Sequence, residues 1–403
     1  MVKIQKSFLN QPHVDIEMKD LTNLEKQKNI LNKLKIYRKQ DFSYKSGKIL
    51  GSMCTQPHPI AKKAYMNFME TNLGDPALFP GSKKIEEKYI DFLKKILNAP
   101  KKSMGIIGSG GTEGNITAMW LAKKISDKNE IIVPENVHFS FEKIASMMNM
   151  KILTINLNDK YVVDIKNIKE KISEKTAAVV GIAGSTELGT VDDIYSLSKI
   201  CKKNNIFLHV DAAFGGFVIP FLKKLGYRVN DFDFKLKGVD SVSLDAHKMG
   251  YSAIPLGTLV VRNKTISDSI SVESHCVSTK KQVGILGTRS GGPVAAAYAV
   301  SEFLGENGYK NLVQKCMNVT DYAVKRIEDI GLNIIVKPTM NVIGIKLDNP
   351  SKVVKKLTDL KWKVNEMERI SCIRLVLMPH VSKNTINSFI PDLKKVCKRL
   401  GEI

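Results

Sequence analysis

Two strings in this chain combine residue types that could do covalent chemistry. Ser243-Leu244-Asp245-Ala246-His247-Lys248 leaves an apolar, strand-like run and ends in a primary amine, and Leu208-His209-Val210 leads into Asp211-Ala212-Ala213. A lysine amine condenses with an aldehyde, and an aspartate can pair with a ring nitrogen, keep it protonated and so let the ring accept an electron pair. A third string, Ile106-Ile107-Gly108-Ser109-Gly110-Gly111-Thr112-Glu113-Gly114-Asn115, passes from a short apolar run into an amphipathic pattern reaching about Lys124. Its glycines permit a sharp turn, and the free amides and positive dipole end of the following helix suit a phosphate. It has neither the Lys-Ser/Thr of a P-loop nor the GxGxxG spacing of a dinucleotide fold. Each string alone has a plainer reading as a helix cap, a solvated surface pair or a packing turn. Together, at the C-terminal ends of strands of an open α/β sheet, they describe a crevice for pyridoxal phosphate, with Lys248 as attachment point, Asp211 under the ring nitrogen and Gly111 and Thr112 at the phosphate.

The elements that must position these residues alternate between strands and helices, the pattern of a mostly parallel sheet. Strands are expected near 104–107, 131–133, 151–155, 177–183, 206–210, 241–244 and 257–261, seven in one large domain. A basic amphipathic helix is expected over 20–40 and two helices over 57–97. A long helix begins after Gly292 at Ala295-Ala296-Ala297, followed by strands near 333–337, 341–346 and 372–377. The expected organisation is an N-terminal helical segment (1–50), a large cofactor-binding domain (51–292) and a small C-terminal α/β domain (293–403).

Composition narrows the class. No apolar run approaches the roughly 18–20 residues that span a bilayer, and charge interrupts the N-terminus from Lys3 onward, so a cytoplasmic enzyme is expected. The six cysteines show no CxxC and no metal-ligand spacing to the seven histidines, which reads as reduced thiols and no metal site. The net charge of +22 raises a nucleic-acid partner, but the lysines are spread along the chain and alternate with acids, as in Glu86-Glu87-Lys88. That pattern is one of a solvated lysine-rich surface.

With the three strings in this order, the chain resembles the fold-type I pyridoxal phosphate enzymes, specifically the group II amino acid decarboxylases, from about Tyr37 to Ile390. Within them it is most similar to the archaeal L-tyrosine/L-aspartate decarboxylases. The strings that carry the closer likeness are Gly51-Ser52-Met53-Cys54-Thr55, Glu70 to Pro76, Gly181 to Thr190, Ile285-Leu286-Gly287-Thr288-Arg289 and Met378-Pro379-His380. The resemblance implies a decarboxylase giving tyramine (for methanofuran) or β-alanine (for coenzyme A). It places His138 on one face of the pyridine ring with Ala213 beneath the other, Thr186 near the ring oxygen and His247 at the phosphate. Thr288 would reach the phosphate of a neighbouring subunit, so a homodimer with active sites at its interface is implied. Arg374 stands where an arginine could clamp a substrate carboxylate or make a structural ion pair, and His58, in Pro57-His58-Pro59, could border the entrance or simply form a rigid turn.

One loop departs from the resemblance. In Val272-Glu273-Ser274-His275-Cys276-Val277, Cys276 falls where relatives carry the tyrosine that protonates Cα, and His275 replaces a proline. Three readings stay open: His275 or Cys276 supplies the proton; protonation is slow and the reaction has changed; or the loop is surface and water, Lys248 or His138 supplies the proton. Two other functions remain: a fold-type I enzyme acting on a tRNA-linked or phosphorylated amino acid, and a non-catalytic protein that binds the cofactor.

Overall fold

A computed structural model of the chain describes residues 23–275 and 278–403. Residues up to Ser46 form one unit and Gly47–Ile403 another. The described part of the first unit is chiefly the helix Leu24–Arg38, capped by the Asn23 side chain, and it buries none of its residues.

In the second unit seven strands make the main sheet: β1 Met104–Gly108, β2 Glu130–Pro134, β3 Lys151–Ile155, β4 Thr176–Ile182, β5 Phe207–Asp211, β6 Ser241–Asp245 and β7 Gly257–Val261. Their order is β1-β7-β6-β5-β4-β2-β3, and β7 alone runs against the rest. Every residue of β2, β4, β5, β6 and β7 is buried. Strands covered by helices on both faces read as continuous apolar runs, which is why the sequence marks them so plainly. The edge strand β3 is largely uncovered.

The strand ends set the site. β5 ends in Asp211 and β6 in Asp245, and both C-terminal ends open on the same edge because the two strands are parallel. The antiparallel β7 begins at that edge, with Gly257 opposite Asp245 on one side and Gly108 on the other. The chain between Asp245 and Gly257 therefore leaves the sheet and returns to the neighbouring place in it, tied at its neck by Ala246 N–H donating to Leu256 O at 3.1 Å. Lys248 lies in that excursion.

A short hairpin, β8 Val272–Glu273 with β9 Lys281–Gln282, precedes the long helix Gly291–Glu328, which breaks at Gly305 (φ 53°). The C-terminal sheet has the order β10-β12-β11, with β10 Val342–Lys346, β11 Asn365–Met367 and β12 Cys372–Val376, all antiparallel. Trp362, Phe389 and Leu393 pack in its separate apolar core. The strand expected near 333–337 is not formed: one isolated bridge, Ile334 to Ile345, stands there. Pro338 lacks a ladder donor and biases the residue before it, and the third strand is the polar Asn365–Met367 instead.

Candidate active site

The amine of Lys248 is the centre of a cleft of about 360 Å³ at the C-terminal edge of the sheet. Its Nζ lies 3.1 Å from Oδ2 of Asp245, three residues earlier and almost fully buried. Burial alone would lower the ammonium pKa, but Asp245 first and then Asp211 outweigh it, and the amine sits above its ordinary value. The second oxygen of Asp245, Oδ1, is buried without a hydrogen-bond partner.

Asp211 faces the same cleft. Asn115 Nδ2 donates to its Oδ2 at 2.8 Å and the Ala213 amide to its Oδ1 at 3.0 Å. Both oxygens accept from groups fixed by the fold, so the direction of this carboxylate is set. Ala213, immediately beyond, lines the cleft beside Asp211.

The anion cradle is built as its glycines imply. The helix Gly111–Ser126 starts at the end of β1, and Glu113 of its first turn turns back to accept from Ser109 N at 2.7 Å and Ser109 Oγ at 2.8 Å. Amides at a helix start have no partner within the helix, and Gly110, Gly111 and Thr112 line the cleft. A Cβ on Gly111 would come within 3.1 Å of both Ala213 Cβ and Asp245 Oδ2, so the close approach there requires glycine. His247 lies across the cradle, its Nδ1 accepting from the Leu256 amide at 3.1 Å and its ring lowered in pKa by burial.

His138 and Thr186 complete the cleft. His138 Nδ1 accepts from the Ser140 amide at 3.2 Å, so the ring is tied to the start of the next helix while it lines the cleft; burial lowers its pKa. Thr186 also lines an adjoining cavity of about 480 Å³, shared with Met53, His138 and Lys248 and bounded by Lys363, Asn365 and Arg374. Arg374 is buried, with NH1 donating to Thr186 O at 2.6 Å and NH2 to Gly51 O at 2.7 Å. It ties two cleft loops together, and burial pushes its pKa down to about 10.

Eight of the residues expected from the sequence, Lys248, Asp211, Gly111, Thr112, His138, Thr186, Ala213 and His247, thus meet in one cleft, with Arg374 in the next. His58, His275 and Thr288 do not. The His58 side chain accepts from the Ile60 amide to cap the helix Pro59–Asn67, and its ring packs on Tyr251 and Phe303. His275 and Thr288 are exposed and line neither cavity. Cys276 lies outside the described residues. Sequence reasoning missed Asp245, Asn115 and Asn136. Asp245 stood in the quoted lysine string, and the i, i+3 spacing to Lys248 was the available signal; Asn136, whose Oδ1 is buried without a partner at the cleft, offered none.

Such a sheet, with an amine and a carboxylate at neighbouring strand ends and an anion cradle beside them, defines the fold-type I class of pyridoxal phosphate enzymes. The likeness in structure is broad: a sphingosine-1-phosphate lyase from Burkholderia pseudomallei superposes with a TM-score of 0.85 at 21% identity, covering 98% of this chain and 93% of that one. A glutamate decarboxylase from Lactobacillus brevis gives 0.83 at 19% identity, over 100% and 96%. In sequence, residues 67–347 match the pyridoxal-dependent decarboxylase conserved domain. A probable L-tyrosine/L-aspartate decarboxylase from Methanococcus aeolicus is 44% identical over 92% of this chain and 99% of its own length. An L-aspartate decarboxylase from Thermococcus kodakarensis is 42% identical over 93% and 98%. The chain belongs to the pyridoxal-dependent decarboxylase family, and it is a pyridoxal phosphate-dependent amino acid carboxy-lyase. Near full-length likeness to decarboxylases does not favour the changed reaction considered for the altered loop. Among the described residues no helix is long and apolar enough to cross a membrane.

Proposed function

We propose that this enzyme decarboxylates L-aspartate to β-alanine, with L-tyrosine to tyramine as a second activity. The observation that carries the preference is the cavity next to Lys248, whose wall holds two cationic side chains, Lys363 and Arg374, together with Asn365 and, among the described residues, no aromatic ring but that of His138. A dicarboxylic substrate carries two negative charges, and a fixed positive wall next to the amine favours it over a neutral phenol. Arg374 acts there as a held charge, because both its terminal nitrogens already donate to backbone carbonyls. The names of relatives agree, some including aspartate with tyrosine and others aspartate alone. Met53 and the half-exposed Phe139, on the rim of the main cleft, supply apolar surface for the second substrate.

The residues fit the cofactor: helix-start amides at Gly111 and Thr112 face the cleft, where a Cβ on Gly111 would crowd Ala213 and Asp245. When bound, pyridoxal phosphate supplies a ring that accepts the electron pair released as CO2 departs. Lys248 would be its point of attachment, Asp211 would meet the ring nitrogen, and Gly111, Thr112 and His247 would hold the phosphate. His138 and Ala213, both lining the cleft, would confine the ring, with Thr186 beside it. The Cα–carboxylate bond breaks, CO2 leaves, and Cα receives one proton from a cleft donor. His275 and Thr288, off the cleft of their own chain, would be presented to it by a second subunit. The working unit in this reading is a cytoplasmic homodimer.

The test is single-turnover incubation of the cofactor-loaded protein with each amino acid, measuring CO2 and amine anaerobically. Aspartate should give β-alanine and CO2 in equal amounts and faster than tyrosine gives tyramine. CO2 from tyrosine alone would overturn the aspartate preference.

A further inference from the structure

Behind Asp211 runs a buried chain of polar side chains. Asn115 sits one turn into the cradle helix and uses both ends of its amide. Nδ2 donates to Asp211 Oδ2 at 2.8 Å and to Ser140 Oγ at 3.2 Å, while Oδ1 receives Ser243 Oγ at 3.0 Å and His209 Nε2 at 2.9 Å. His209 continues the chain to Ser241 Oγ through Nδ1 at 2.8 Å. Asn115, His209, Ser241 and Ser243 are all at most 1% exposed. The arrangement follows from strand geometry. His209 and Asp211 share one face of β5, Ser241 and Ser243 share the same face of β6, and the register pairs His209 with Ser241 and Asp211 with Ser243.

This chain has one consistent direction. With the amide reversed, Asn115 Oδ1 would face the Asp211 carboxylate oxygen, acceptor against acceptor, so this contact sets the amide. The amide then requires a proton on His209 Nε2, which leaves Nδ1 to accept from the Ser241 hydroxyl. Burial lowers the His209 pKa, in keeping with a neutral ring there. A neutral imidazole with a fixed tautomer is what holds Asn115 rigid.

We propose that Asn115 and His209 are positioning residues that aim the Asp211 carboxylate at the cofactor ring nitrogen. The inference rests on the assignment of Asp211 to that nitrogen. It also means that one rigid helix governs both ends of the cofactor, the phosphate at Gly111 and Thr112 and the nitrogen through Asn115.

The test uses holoenzyme loaded with pyridoxal phosphate labelled with 15N in the ring, in wild type, Asp211→Asn, Asn115→Ala, His209→Leu and His209→Gln. Glutamine reproduces the Nε2 donor of histidine and leucine does not. The ring 15N shift of wild type should be that of a protonated nitrogen. Asn115→Ala and His209→Leu should move it toward the unprotonated value and weaken cofactor affinity roughly tenfold, the scale of a lost hydrogen bond to a charge. His209→Gln should restore most of the wild-type shift. A shift moved by Asp211→Asn but unchanged in Asn115→Ala and His209→Leu would overturn the inference, as would equal effects of leucine and glutamine. A shift unmoved by Asp211→Asn would instead remove the underlying assignment.

Discussion

Replacing Asp245 by asparagine should make Lys248 a faster nucleophile at neutral pH. The separation of 3.1 Å, with an effective dielectric of about 20, corresponds to roughly 5 kcal/mol of Coulomb attraction before the cost of desolvating the pair. What survives of such a pairing in proteins is a shift of about 1–3 pH units. The sign follows from the charges. Asp245 favours the ammonium and raises the amine pKa, so its loss lowers that pKa and enlarges the free-amine fraction at pH 7 by about tenfold or more. Asp211 remains and keeps part of the elevation. The assay is stopped-flow absorbance of cofactor-free protein mixed with pyridoxal, which lacks the phosphate and so reports on the amine more than on the cradle. The rate should rise with pH in both proteins, with the Asp245→Asn profile displaced to lower pH. Coincident profiles, or a displacement to higher pH, would refute the reasoning that this carboxylate holds the amine protonated.

Two further expectations concern the frame around the cleft. Asp192 is buried, accepts the Val163 and Ile182 amides at 2.8 and 2.7 Å, and is pushed up to about 6 by burial. A folded-state pKa above the unfolded one means stability falls as pH rises from about 4 to 6, by on the order of 3 kcal/mol. Urea titrations should therefore show the stability gap between wild type and Asp192→Asn narrowing over that range, and a gap independent of pH would count against it. Arg374→Lys cannot keep both carbonyl bonds, so it should lose about 1.5–3 kcal/mol of stability and lower kcat/KM for aspartate, read from melts and steady-state kinetics. Full stability with lowered activity would mean that Arg374 serves the substrate and not the loops.

The main sheet was legible in the sequence because its central strands are covered on both faces, leaving runs such as 207–210 and 257–261 with few polar interruptions. The smaller sheet was read less well for the converse reason. Asn365-Glu366-Met367 carries no apolar run, and the apolar 334–336 forms only a single bridge. At the site, Lys248, the strand-end Asp211 and the glycine-rich turn declare themselves by residue type. Asn115 does not, because an asparagine on a helix has value only when β5 and β6 come into register below it. His58 misled because a histidine between two prolines looks like a loop feature, whereas its side chain caps a helix.

The tie between Ala246 and Leu256 bears on how firmly Lys248 is held in place. Lys248 belongs to a loop whose two ends are adjacent central strands, so the loop cannot peel away without opening the sheet between β6 and β7. Segments anchored in this way exchange their amide hydrogens only in openings that approach global unfolding. The amides of residues 246–256 that are hydrogen-bonded should therefore be among the slowest to exchange in the chain. Opening of the loop that carries Lys248 then becomes a matter of unfolding kinetics, not of local loop motion, and the position of its amine is as durable as the pairing of β6 with β7.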